Sequence, residues 1–188
     1  MKELSLHILD IVQNSVTAGA TLIEVCVDES TRNDTMTIDI KDNGCGISKE
    51  KLADITNPFK TSRQTRKVGL GLSLFQSAAL ACDGNFVIDS LVGKGTEVKA
   101  VFKRSHIDRA PLGNMPDTVI TLLMSIGDAD LLYKQFFNER VFSLDTREIK
   151  EILGSKDLMK DPDVIHWVHD YVKDGLKEMM EEEDEEIT

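Results

Sequence analysis

Met36-Thr-Ile-Asp-Ile-Lys-Asp-Asn-Gly-Cys-Gly-Ile47 passes from a strand into a glycine turn. Met36, Ile38 and Ile40 alternate with polar residues, the period-2 pattern of a half-buried strand. Asp42 follows the strand, and Gly44 and Gly46 free the backbone directly after that carboxylate. Alone, Asp-Asn-Gly is an ordinary hairpin signal. Three more short segments change its weight. Asp10-Ile-Val-Gln-Asn14 comes before it, and Lys67-Val-Gly-Leu-Gly-Leu-Ser73 and Gly93-Lys-Gly-Thr96 come after it.

The segments between them have readable periods. Leu6, Leu9 and Val16, with Ile8 and Val12 beside them, predict an amphipathic helix over residues 3–18, stopped by Gly19. Leu22–Val27 and Met36–Ile40 read as strands. Ser48 is a good N-cap for a short helix over Lys49–Ile55, and Pro58 ends it. Residues 57–70 read as a long basic loop. Leu72–Cys82 reads as a helix, and Asn85–Ser90 and Glu97–Lys103 as strands. This order suits a two-layer α/β sandwich with helices on one sheet face. Of the 12 glycines, eight precede residue 100, as expected where backbone must approach a ligand.

Beyond residue 104 the pattern changes. Residues 105–117 hold Pro111, Gly113 and Pro116 and read as a linker. Residues 118–180 read as a small α+β extension. Within it, Thr118–Ser125 is expected as a strand, Val141–Thr146 as a second strand and Arg147–Leu153 as a short helix. Val164–Met180 is a strong helix with Ile165, Val168, Val172, Leu176 and Met179 on one side. Trp167 and Tyr171 on this helix would pack back on the domain or make a homodimer, packing being the commoner use. His166 and His169 stand three apart, but no Cys or acid spacing around them indicates a metal.

Charge divides the chain at the same place. Residues 1–104 carry 13 Lys/Arg and 13 Asp/Glu, whereas residues 105–188 carry 9 and 20, so the later part holds the whole net charge of -11. The run Glu181–Glu186, within the acidic tail 181–188, is expected to be solvated. Such acidity disfavours nucleic acid, whose binding rests on phosphate neutralisation. No apolar run approaches the roughly 20 residues that span a bilayer. The N-terminus lacks a signal-peptide pattern, so a cytoplasmic protein without a membrane partner is expected. Cys26 and Cys82 read as small core residues. No Cys-x-x-Cys pairing is present.

The four segments, in this order, resemble the motifs of the GHKL ATPases, the superfamily of histidine kinases, DNA gyrase, Hsp90 chaperones and mismatch-repair ATPases. Asn57-Pro-Phe-Lys-Thr-Ser62 is similar to a histidine-kinase lid, and Asn14-Ser-Val-Thr-Ala-Gly-Ala-Thr21 to the mismatch-repair version of the first motif. The resemblance covers residues 1–104 and implies ATP and Mg²⁺ as ligands. It implies that Asn14 holds Mg²⁺ and that Asp42 accepts from the adenine amino group, with Gly44 and Gly46 turning beside the base. Lys60, Thr61, Ser62 and Lys67 would meet the phosphates from a lid. Gly69, Leu70, Gly71 and Leu72 would offer backbone N–H groups at a helix start, an anion site. Gly93–Thr96 would close the pocket.

Asp10 stands where many family members carry the general base Glu. It is chemically competent but shorter, and a base must come within about 2.6–3.2 Å of its proton's heavy atom. The alternative is that Asp10 only holds water around Mg²⁺. His7, on the same face, is expected to be a helix-surface or packing residue. Since the chain starts at the first motif, no phosphoacceptor hairpin is expected before it. Three readings stand: a kinase or ATPase module regulating a partner protein, favoured here; a nucleotide switch without hydrolysis; or a mismatch-repair-like clamp.

Overall fold

The computed structural model describes residues 3–55 and 70–181. Its elements are α1 (Leu4–Thr17), β1 (Leu22–Ser30), β2 (Thr35–Asp42), α2 (Lys49–Ile55), α3 (Leu70–Leu80), β3 (Asn85–Leu91), β4 (Gly95–Lys103), α4 (Met115–Ser125), β5 (Asp130–Phe137), β6 (Arg140–Asp145), α5 (Thr146–Leu153) and α6 (Pro162–Glu181). A short 3-10 turn, Lys156–Lys160, joins α5 to α6.

The strands make one mixed sheet in the order β3-β4-β2-β1-β5-β6. β1 and β5 run parallel, and the other neighbours are antiparallel. Alternation sets the two faces. Ile23, Val25 and Val27, then Met36, Ile38 and Ile40, then Val98, Ala100 and Phe102 all point to one side and are buried. Burying each large side chain contributes roughly 1.5–3 kcal/mol. On that side α1 lies between α3 and α4, and α4 packs in turn on α6. This is the expected two-layer α/β sandwich. No described helix is long and apolar enough to cross a membrane.

Several expectations need correcting. Thr118–Ser125 is helical, as part of α4. Asn114 caps it by accepting from the Asp117 N–H, Pro116 sits in its first turn, and Met115, Thr118, Val119 and Leu122 face the core. Tertiary burial at helical spacing outweighs the β-branched run. Cys82 is buried, but Cys26 lies on the outer sheet face and is only half-buried, because the buried residues of β1 are its odd-numbered neighbours. β5 had no counterpart in the sequence reading.

The residues after 104 extend the same sheet through β5 and β6. Residues 105–117, expected as a linker, carry two acceptors for α1. The N–H groups of Leu4 and Ser5 donate to the carbonyls of Pro111 and Leu112 at 2.9 and 2.8 Å. Those are two of the N–H groups a helix start leaves without partners, and no side chain caps α1. Met115–Asp117 already belong to α4.

Candidate functional site

Asp42 ends β2 on the helix-facing side, half-buried. Both of its oxygens are held. Ser15 Oγ donates to Oδ2 at 2.7 Å, and the Gly44 N–H donates to Oδ1 at 2.8 Å. The neighbouring Asn43 ties the turn to β1: its Oδ1 accepts from the N–H groups of Thr21 and Leu22, and its amide donates to Thr21 Oγ1. Each carboxylate oxygen has a further lone pair, so the acid is oriented without being saturated.

The glycines allow close approach. A Cβ on Gly44 would meet Ala18 Cβ at 2.8 Å, and Cys45 N–H donates to the Ala18 carbonyl. Gly46 has φ +70, and a Cβ there would fall 2.2 Å from the Leu91 carbonyl oxygen. On Gly95 it would fall 1.9 Å from the Asp42 carbonyl oxygen. The Gly93 N–H donates to the Cys45 carbonyl at 2.8 Å. The Asp42–Gly46 turn and the Gly93–Thr96 turn are thus locked together. Thr96 pairs with Asp42 on one side and Ser90 on the other, and its hydroxyl lies 2.9 Å from Ser90 Oγ. Ser90 also accepts from the Ile47 N–H.

α1 brings the first motif to this end of the sheet. Ser15 is buried, Asn14 half-buried and Asp10 exposed. Among the described residues the Asn14 side-chain amide has no hydrogen-bond partner, and α1 holds it rigidly. That suits an oxygen ligand for a hard cation. Asp10 faces the start of α3, where a Cβ on Gly71 would lie 3.1 Å from Asp10 Cβ and 3.4 Å from its Oδ2. The first and third motifs therefore touch. Leu72 buries its side chain in the core, so only its backbone is open to a ligand. Leu70 opens α3.

Lys60, Thr61, Ser62, Lys67 and Gly69 lie outside the described residues, as does Pro58. His7 is 3% exposed and stacks on Phe75, ring centroids 4.9 Å apart. Burial lowers its pKa and favours the neutral ring. It is a packing residue of the α1–α3 interface. The sequence reading missed Ser15, Ala18 and Ser90. Ser15 had a signal: it follows Asn14 by one position, which turns it from the pocket toward the sheet.

A family model described as histidine kinase-, DNA gyrase B- and HSP90-like ATPase matches residues 2–106. The chain belongs to this family. Its curated relatives include the sensor histidine kinase AtsR of Burkholderia thailandensis, 31% identical over 96 residues, which cover 47% of this chain and 16% of that protein. Sporulation kinase D of Bacillus subtilis is 44% identical over 61 residues, covering 32% of this chain and 12% of its own length. The chain thus spans only a small share of the relatives it matches. Its structure is also similar to the MutL ATPase domain of Aquifex aeolicus complexed with ADP, with a TM-score of 0.41 and 18% identity, covering 83% of this chain and 70% of that one. As a member of this family, the chain carries an ATP-binding domain.

Proposed function

We propose that this chain is a regulatory protein that binds Mg²⁺-ATP and transfers or hydrolyses the γ-phosphate to control a partner protein. The observation that carries this reading is the doubly held Asp42, tied through Ser15 to α1, the helix that also carries Asn14 and Asp10. A fixed carboxylate selects a base with an amino group there, because a base without it would leave the charge unpaired. Guanine has a carbonyl at that position, so ATP is favoured over GTP.

Asn14 would hold Mg²⁺ through its side-chain oxygen. The ion would neutralise phosphate charge. Lys60, Lys67, Thr61 and Ser62 would hold the phosphates from one side. The backbone of Gly69, Leu70, Gly71 and Leu72 would hold them from the α3 side. Thr96 would line the closed end beside Asp42. Asp10 would take the proton of the attacking water or hydroxyl.

Incubation with γ-labelled ATP, alone and with candidate partners, tests this. Label on protein means transfer, and free phosphate means hydrolysis. Absence of both would leave a nucleotide switch, the second reading. The short Asp10 side chain, backed against Gly71, favours that second reading over a clamp. Calorimetry on wild type and Asp42→Ala tests the pocket itself. Equal ATP affinity in the two would overturn the assignment.

A further inference from the structure

α6 carries a surface with no part in the nucleotide pocket. Trp167 and Tyr171, one turn apart, stack with ring centroids 5.4 Å apart and planes at 11°. They remain 52% and 45% exposed. The pair is anchored from below: Tyr171 packs on Phe142 at 5.3 Å, and Phe142 on the fully buried Tyr133 at 6.3 Å. One turn further along α6 is Gly175. A Cβ there would fall 2.3 Å from the Phe142 ring. The glycine lets that ring reach the helix.

The result is a notch of about 330 Å³ lined by Trp167, Asp170, Tyr171, Asp174, Gly175 and Glu178. Every charged group in the lining is an acid. Asp170 is already shared by His166 and His169. Among the described residues, no ion pair engages Asp174 or Glu178. Arg140, the arginine that reaches α6, donates to the Met179 carbonyl and does not line the notch.

We propose that this notch docks an arginine-bearing basic segment of a partner protein. A guanidinium is planar and weakly hydrated, so it can stack on the Trp167–Tyr171 face while its donors reach Asp174 or Glu178. The carboxylates of Asp170, Asp174 and Glu178 around the notch attract such a segment at short range. The same charges repel nucleic acid and anionic lipid. A second copy would bring its own Asp174 and Glu178 against these, so like charges oppose self-pairing here. The proposal goes beyond the nucleotide reading and holds whether or not ATP is hydrolysed.

Trp167 is the only tryptophan in the chain, so its fluorescence reports on the notch directly. The full chain is titrated with tetra-arginine amide, with tetra-serine amide as control, and affinities are checked by calorimetry. A saturable response to the arginine peptide alone is expected. Affinity should fall about tenfold or more in Asp174→Lys/Glu178→Lys, a loss typical of removing charge partners at a binding site. Tyr171→Ala should weaken it as well. A chain with Glu182, Glu183, Glu185 and Glu186 all changed to Gln should bind as wild type does. Equal affinity in the Asp174/Glu178 variant would overturn the proposal, as would loss confined to the Gln-tail chain. Sedimentation showing a Trp167-dependent dimer that excludes the peptide would make the surface a self-interface and also overturn it. If circular dichroism shows either lysine variant unfolded, Asp174→Asn/Glu178→Gln takes its place with the same two outcomes.

Discussion

Ser15 Oγ donates a 2.7 Å hydrogen bond to Asp42 Oδ2 and so joins the Asn14 helix to the end of β2. The same hydroxyl lies 3.3 Å from the Ile11 carbonyl. It has one proton, and the shorter contact to a charged acceptor wins it. Hydrogen bonds to charged groups contribute about 1.5–3 kcal/mol, and this one is only part-buried, so the lower end applies. Ser15→Ala should therefore weaken ATP binding about tenfold by calorimetry. The melting temperature should move by only a few degrees. Unchanged affinity would mean that Gly44 alone orients Asp42.

Two glycines in the site should behave oppositely. Gly46→Ala puts a methyl 2.2 Å from a backbone oxygen at φ +70, so both space and conformation oppose it. A loss above about 2 kcal/mol in urea unfolding is expected. Gly71→Ala meets only the Asp10 side chain at 3.1 Å, and alanine favours the helix by up to about 1 kcal/mol. Its stability should stay near wild type while turnover falls, because Asp10 must move. Equal destabilisation of both variants would contradict this contrast.

Asp10 separates catalysis from binding. As general base, Asp10→Asn should leave ATP affinity intact and slow phosphoryl transfer about 10²–10⁴-fold. Asp10→Glu, with the longer reach, should keep or raise the rate. Should Asp10 only order water around Mg²⁺, the Asn variant would lose affinity and turnover together. Single-turnover kinetics on the three chains read these outcomes, and equal wild-type and Asn rates rule out the base.

His7 should give the fold a pH dependence of known sign. Burial holds its pKa below the unfolded value of 6.5. In the window just below 6.5 the unfolded chain binds more protons, so stability is full above 6.5 and falls as pH drops through it. Urea midpoints at pH 7.5 and 5.5 should therefore differ. His7→Phe, which keeps a ring against Phe75, should narrow the difference. The same pH difference in both chains would assign it elsewhere.

The turn after β2 and the Gly93–Thr96 turn were legible because their glycines meet backbone demands that other residues do not, Gly46 at φ +70 and Gly95 against the Asp42 carbonyl. Ser15 and Ser90 were less visible, since their importance lies in partners brought together from distant parts of the chain. β5 hid for a different reason. Its inward positions are Leu131, Tyr133, Gln135 and Phe137, while Leu132 and Phe136 lie on the other face. Gln135 is buried and accepts from the Tyr133 hydroxyl, so the strand shows no apolar–polar alternation. In α4, Thr118 and Thr121 satisfy their hydroxyls on the carbonyls of Asn114 and Asp117, a helical arrangement that β-branched composition conceals.

The parallel pairing of β1 with β5, and the loan of the Pro111 and Leu112 carbonyls to α1, bear on engineering. A cassette cut after residue 104 for grafting onto another output would open β1 to strangers along its whole length. It would also strip two acceptors from the helix that carries Asp10 and Asn14. An exposed strand edge of that kind invites aggregation. The portable piece of this chain is therefore the span from α1 through α6, and chimeras joined beyond α6 should stay soluble where those joined at residue 104 do not.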